Sequence, residues 1–383
     1  MEAPIVGQCD SLSKVDSCLS DLYMRAVGEE AAAPTVKTVL FNLVVFATTE
    51  KIADRAMLDV TDILATHPCR AIVADVARSG KGEEGASVSV MCGITERGDR
   101  RLCGEIISLH AHNNGSAIVG AVMPLLIPDI PVFLWIPGDV PRESEEFNDF
   151  VRASSHLIFD SRAFTDLGQG DKLVRRLGSA DGSNRIVQDL AWISLMPWRE
   201  LTAQHFDAPS TRPYLSRITQ VTVRYASGER SDLPASAPLL LALWLMERTQ
   251  MRFISAFRSR DQGFRIAAEQ GDHDVELRFI PEVSGFGPGR LISVRIQCGT
   301  EEGSATFTTQ GISENELTLT EECVGVCLPP KLLELPAQDE SALAGQALDS
   351  YRRDRVFEQV LDVALAVIDY LEAADEKLLR LRL

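Results

Sequence analysis

Few residues in this chain have the type and spacing of a chemical site. His110 and His112, two apart, could ligate a metal from one face of an extended segment, with Glu105 as the nearest upstream carboxylate. No third ligand follows at short spacing, so turn histidines are the simpler reading and no metal is expected. Arg70 and Glu105 lie near strand starts and read as an ion pair inside a sheet, with Glu105 as a general base the alternative. Asp160-Ser161-Arg162 closes a short apolar strand. Ser161 and Arg162, with Arg70, could hold a phosphate, and Asp139 and Asp160 stand beside them as further polar candidates. A sugar-phosphate-binding protein or small-molecule enzyme would use such residues at the carboxyl ends of parallel strands. The glycine-rich piece Val283 to Arg290, VSGFGPGR, contains a proline and precedes a strand, so it reads as a hairpin turn. A phosphate-cradling loop leads into a helix instead. There is no Walker loop, GxGxxG, HExxH or GxSxG, and no cofactor is expected.

The eight cysteines are spread along the chain without a CxxC pair. Cys69, Cys92, Cys103 and Cys298 sit in or beside apolar strands, where cysteine acts as a small hydrophobe. Cys323 and Cys327 flank Gly325 at a spacing that permits a disulfide, which makes them redox candidates; Cys9 and Cys18 are a second such pair. Trp192 and Trp198 bracket Pro197, with Arg199 and Glu200 next. That cluster reads either as helix packing or as an interface anchor, since Trp and Arg dominate binding hot spots. Trp135, with Pro137 and Gly138 behind it, has the same apolar, proline-bordered style.

These residues need elements to hold them. The chain has 383 residues, 45% hydrophobic and 24% charged, the composition of a globular protein of two domains. A formal net charge of −17 disfavours nucleic-acid and anionic-membrane partners. No apolar run approaches the roughly 20 residues that span a bilayer. The amino terminus lacks a basic region before an apolar core, so a cytoplasmic protein is expected.

The organising stretch is Ser116 to Asp139, SAIVGAVMPLLIPDIPVFLWIPGD. Ile118, Val119, Val122, Met123 and Leu126 make one helix face, interrupted by Pro124. Val132 to Ile136 then has no polar alternation and reads as a strand buried on both faces. Before it, a helix is expected over Ser11 to Val27 and strands over Thr35 to Phe46, Arg70 to Ala77, Ala86 to Ile94 and Cys103 to Leu109. Charged turns fall at Arg78 to Gly85 and Glu96 to Arg101, and Ile52 to Leu64 gives a clear helix face. After the central stretch come a helix over Glu143 to Ser154, a strand over His156 to Phe159, and a helix over Gln188 to Asp207 that either kinks at Pro197 or restarts there. The half-chain is α/β, with a mixed sheet and helices.

Ala208 to Pro213, APSTRP, is the best linker, which sets domains at 1–207 and 208–383. Beyond it, Arg217 to Ala226, Gly263 to Ala268, Val275 to Ile280, Leu291 to Cys298 and Ser304 to Leu319 read as strands, and Ala235 to Thr249 as an apolar helix. Glu322 to Pro336 reads as irregular, and one long helix runs from Glu340 to Ala373. The second half is α+β: an antiparallel sheet, helices on one side and a long carboxyl-terminal helix.

The phrases HPCRAIVADV, RLCGEIISLHA, VMPLLIPDIPVFLWIPGDVP, HLIFDSRAF and DLAWISLMPWRELTAQHFD, in that order over His67 to Asp207, resemble the glucose-6-phosphate dehydrogenase assembly proteins, the OpcA family. The second half fits that family chiefly over Ile218 to Trp244. Cys69 stands where the family usually has serine, and Ile136 where a second tryptophan is frequent. The resemblance implies a non-catalytic activator that promotes assembly of oligomeric glucose-6-phosphate dehydrogenase in the oxidative pentose phosphate pathway. It also implies a link to thioredoxin-type control.

Overall fold

The computed structural model describes the chain except residues 1–4, 10–13, 29–34, 38, 77–84, 95–100, 111–114, 180–184, 229–233, 260–262, 301–302, 324–325, 328–329, 337 and 383. The expected Gly28 to Pro34 loop, the two charged turns before the central stretch and His112 thus lie mainly or wholly outside the described residues. In chain order the elements begin β1 (Ile5–Cys9), α1 (Val15–Gly28), β2 (Thr35–Lys37), β3 (Asn42–Ala47), α2 (Glu50–Leu64), β4 (Arg70–Asp75), β5 (Gly85–Ile94) and β6 (Arg101–His110). There follow α3 (Gly115–Leu125), β7 (Val132–Ile136), α4 (Glu145–Ala153), β8 (His156–Phe159), α5 (Leu167–Ser179), β9 (Ile186–Asp189), α6 (Leu190–Ser194) and α7 (Met196–Gln204). Next come β10 (Ile218–Ala226), α8 (Ser236–Arg248), β11 (Arg252–Ser259), β12 (Gly263–Gln270), β13 (His273–Glu282), β14 (Leu291–Thr300), β15 (Gly303–Ser313) and β16 (Glu316–Cys323). The chain ends with β17 (Val326–Cys327), β18 (Lys331–Glu334), α9 (Glu340–Leu348) and α10 (Arg355–Arg382).

Two compact units result, both discontinuous. The first comprises Met1–Thr165, Arg176–Leu190 and Asp339–Arg353; the second comprises Asp166–Arg175, Ala191–Gln338 and Asp354–Leu383.

The first unit is α/β with a mixed sheet ordered β1-β5-β6-β4-β3-β7-β8-β9, and β2 beside β6. Strands β6, β4, β3, β7, β8 and β9 run parallel. Strands β3 and β4 are buried at every residue, as uninterrupted apolar runs require in a sheet covered on both faces. Thr49 caps α2, its hydroxyl accepting from the Ile52 N–H at 3.2 Å. Helix α2 packs on β3, β4 and β6, and α9 packs on α2. A Cβ added at Gly345 of α9 would stand 3.3 Å from His67 Cε1, so glycine allows that close approach.

The second unit is an almost wholly antiparallel sheet ordered β11-β12-β13-β10-β14-β15-β16-β17, with β18 also on β16; β10 and β13 are the parallel pair. Burial alternates strictly along β12. Leu277, Val223, Ile296 and Phe307 lie on the buried side, where Phe206, just beyond α7, packs at a tilt against Phe307 with 4.8 Å between ring centroids. The other face is polar and open, as antiparallel sheets permit. One cross-strand row on it reads Arg265, Arg278, Thr222, Arg295, Thr308, Thr320. Arg224, Arg265, Arg278 and Arg295 keep 28–49% of their side chains exposed there.

Several expectations need correction. The helix expected over Gln188 to Asp207 starts two residues late, because Gln188 and Asp189 finish β9; it then breaks at Leu195, and α7 opens with Pro197 in its first turn. The single strand over Ser304 to Leu319 is two, folded back at Glu314-Asn315. The irregular Glu322 to Pro336 contains β17 and β18. The long last helix is interrupted between Leu348 and Arg355, where the Asp354 carboxylate accepts from the Val356 and Phe357 N–H groups at 2.9 and 3.0 Å and starts a new helix.

Candidate functional site

At the carboxyl ends of the first unit's parallel strands, β7 leads into Pro137-Gly138-Asp139. Gly138 has φ +90, a backbone conformation that demands glycine, and a Cβ there would also push Ile52 Cδ1, 2.8 Å away, aside. Asp139 Oδ1 accepts from the Val140 and Thr165 N–H groups at 2.7 and 2.9 Å. Burial pushes the Asp139 carboxyl up, but these hydrogen bonds outweigh it and hold it below the ordinary carboxylate range.

One strand over, Asp160 follows β8 and holds Arg162 through Nε and Nη2 at 2.8 and 2.7 Å. This is a two-pronged guanidinium–carboxylate pair. Ser161 donates its N–H and its hydroxyl to the Asp189 carboxylate at 2.9 and 2.6 Å. Glu340, in the first turn of α9, completes the group. Its burial, with the charges of Asp160 and Asp59, pushes its carboxyl up to about 7, against the pull of Arg162 and Arg55.

Arg70 is not part of this group. It begins β4, at the amino ends of the strands, and its Nε donates to Glu105 Oε2 at 2.5 Å while Nη1 donates to the Leu125 carbonyl at 2.7 Å. Glu105 is fully buried and also bonds Tyr23, whose hydroxyl pKa rises, first through burial and then through Glu105. The expected Arg70–Glu105 ion pair is present. The three phosphate candidates are divided between opposite ends of the sheet, and each is held by an internal carboxylate.

In the second unit, Trp192 has three side-chain partners. The Arg199 guanidinium carbon lies 3.6 Å from its ring centroid, Phe357 approaches at 5.6 Å, and the indole N–H donates to Asp354 Oδ2 at 2.7 Å. Burial pushes the Arg199 pKa down to about 10, against the nearby charges of Asp354 and Glu200. Trp135, Trp192 and Trp198 are 0, 3 and 7% exposed, so their rings pack inside the chain and offer little area to a partner. Pro137 is buried, and Gly138 and Arg199 are partly exposed.

Cys9 and Cys18 form a disulfide joining β1 to α1. Cys323 and Cys327 fall in the antiparallel pair β16–β17, opposite Val326 and Glu322 respectively; their side chains lie outside the described residues. No group of three or more His, Cys, Asp or Glu suited to a metal occurs among the described residues. Sequence reasoning missed Glu340, Asp59 and Asp354, because each meets its partners only through the fold.

Two family models match consecutive parts of the chain. The N-terminal domain model of the glucose-6-phosphate dehydrogenase subunit, OpcA_G6PD_assem, matches residues 60–176, and the corresponding C-terminal domain model, OpcA_G6PD_C, matches residues 185–361. The chain belongs to the OpcA family. An OxPP cycle protein OpcA of Nostoc punctiforme is 30% identical over 320 residues, 79% of this chain and 65% of that protein. Its counterpart in Synechocystis sp. is 26% identical over 331 residues, 81% and 66% of the two chains. This chain therefore spans just under two thirds of the length of these OpcA relatives. Among solved structures, an oxidoreductase from Sinorhizobium meliloti aligns with TM-score 0.45 and 12% identity over 88% of this chain and 90% of that one, too distant to bear on function. No described helix is long and apolar enough to cross a membrane.

Proposed function

We propose that this chain is a non-catalytic assembly factor and protein activator of glucose-6-phosphate dehydrogenase, acting on its oligomer in the oxidative pentose phosphate pathway of the cytoplasm. The match of the two subunit models to residues 60–176 and 185–361 carries this reading. The side-chain chemistry supports it: Ser161, Arg162 and Arg70 each spend their donors on Asp189, Asp160 and Glu105. A phosphate would have to compete with a carboxylate of the chain itself at each, which disfavours the sugar-phosphate reading.

Gly138 on the first unit and Arg199 on the second are the docking candidates, with the buried Pro137, Trp135, Trp192 and Trp198 as the supports of their own units. Cys323 and Cys327 are the redox candidates, with thioredoxin as the reductant that would act on them. The reading calls for no cofactor, nucleic acid or membrane. The test adds purified chain to purified glucose-6-phosphate dehydrogenase and follows NADPH formation and mass by light scattering. A rise in turnover with formation of a larger complex is expected. Unchanged kinetics and separate elution would overturn the reading.

A further inference from the structure

We propose that the open face of the second unit's sheet is a self-association surface, against which a second copy of this chain packs face to face about a two-fold axis. The proposal is independent of the assembly reading.

Charge is the first argument. A two-fold interface pairs a patch with itself, so the patch must carry both signs. This face does: Glu276 accepts from Arg265 and Arg278 at 2.7 and 2.6 Å, Arg224 donates to Glu282 at 2.8 Å, and Arg295 lies 4.0 Å from Glu322. The whole chain carries −17, so two copies repel over most approaches. The same registers also place Glu269, Asp274, Glu316 and Glu334 on this face, so its carboxylates outnumber its arginines and each arginine can share a carboxylate of the other copy. A strongly basic or acidic partner would instead select a patch of one sign.

Shape is the second. The row through the middle of the face mixes Thr222, Thr308 and Thr320 with three arginines, short and long side chains between which those of a second copy can interdigitate. Strands β11 to β16 give the face roughly 35 by 23 Å, about 800 Å² per partner, the size of a standard specific interface.

Apolar surface is the third. Phe257 on β11 stands opposite Arg265, and Leu332 on β18 opposite Thr318, so both project from this face at its two edges. They are 53 and 65% exposed. A covering copy would remove each of them from water, and each stands singly at its edge rather than in a continuous patch.

The test is sedimentation velocity on the full-length chain across the micromolar range. The expected species has twice the 42.0 kDa of the chain. Two variants act on the face by different means: Arg278→Glu/Arg295→Glu reverses two charges, and Thr308→Arg raises the relief while leaving the ion pairs in place. Each is expected to weaken the dimer roughly tenfold or more, with an unchanged far-ultraviolet circular dichroism spectrum. A wild-type chain that stays monomeric throughout overturns the proposal. So does a dimer that both folded variants leave intact. If the wild type is monomeric and Thr308→Arg abolishes binding to glucose-6-phosphate dehydrogenase, the face belongs to that enzyme and the self-association proposal falls.

Discussion

Ser161 gives both its backbone N–H and its hydroxyl to a single carboxylate, that of Asp189, 28 residues later. The chain thus supplies its own anion where a turn at the carboxyl end of a parallel sheet would otherwise be ready for a ligand. Two bonds to a buried charge contribute about 2–4 kcal/mol together. Asp189→Asn keeps the shape and removes the charge, so urea unfolding should show a loss of about 2 kcal/mol or more. A loss under about 0.5 kcal/mol would mean that the pair does not hold the turn. Calorimetric titration of the unaltered chain with inorganic phosphate should give no heat of binding at this turn.

Trp135 and Trp198 should both behave as core residues. Each ring is at least nine-tenths buried, so Trp135→Ala and Trp198→Ala should each cost about 3–5 kcal/mol in chemical denaturation. Arg199→Ala separates packing from docking, because its guanidinium lies over Trp192 yet stays partly exposed. It should weaken activation of glucose-6-phosphate dehydrogenase with a smaller loss of stability. Unchanged activation would remove Arg199 from the docking surface.

Stability should depend on pH through two groups of opposite sense. Glu340 is raised from 4.5 to about 7 in the fold, so its contribution is complete below about 4.5 and is lost as pH rises through about 7. His205 is lowered from 6.5 to about 4, so its contribution is complete above about 6.5 and is lost as pH falls through about 4. Between pH 6.5 and 8 only Glu340 of this pair changes. The melting temperature should fall across that interval, and Glu340→Gln should flatten the fall. Parallel curves for the two proteins would show that Glu340 is not the group responsible.

Redox control should reside at Cys323 and Cys327. Oxidised and dithiol-reduced protein should give different activation curves with glucose-6-phosphate dehydrogenase, and Cys323→Ser/Cys327→Ser should abolish the difference. The Cys9–Cys18 disulfide provides an internal comparison, since Cys9→Ser/Cys18→Ser should leave the difference in place. Coincident curves for oxidised and reduced protein would eliminate the switch.

Limited proteolysis should first cut at Asp207 to Ser210, four successive exposed residues after α7. First cuts inside α6 or α7 would count against this segment as the weak point.

The sequence made the apolar strands legible. Strands β4, β7 and β8 are short β-branched or aromatic runs between turn signals, and the buried sheet uses them as such, whereas the single strand expected over Thr35 to Phe46 is two, β2 beside β6 and β3 between β4 and β7. The Arg70–Glu105 pair was legible because the apolar runs put both residues near expected strand starts; β6 begins earlier, at Arg101, and the register still sets the two opposite each other. Helix α5 was not, because Gly168 and Gly170 dilute its pattern. Strand β11 was not, because its apolar residues lack a buried alternation: Ile254 and Phe257 remain exposed. The group around Glu340 was beyond reach, since Asp160 and Asp59 lie far away in sequence and only the return of the chain as α9 brings them together.

That return has a consequence for synthesis on the ribosome. Helix α9 seals the first unit: Gln188 donates to the Ala347 carbonyl at 2.7 Å, His67 meets Asp349 at 3.1 Å, and Leu343, Ala344, Ala347 and Leu348 are buried. Yet α9 emerges roughly 150 residues after β9, and at about 5–20 residues per second that is a delay of about 10–30 s. For that interval the nascent first unit carries an uncovered apolar strip where α9 will lie. A chain interrupted before Asp339 keeps the strip permanently, so stalled or truncated products should be the ones that chaperones retain.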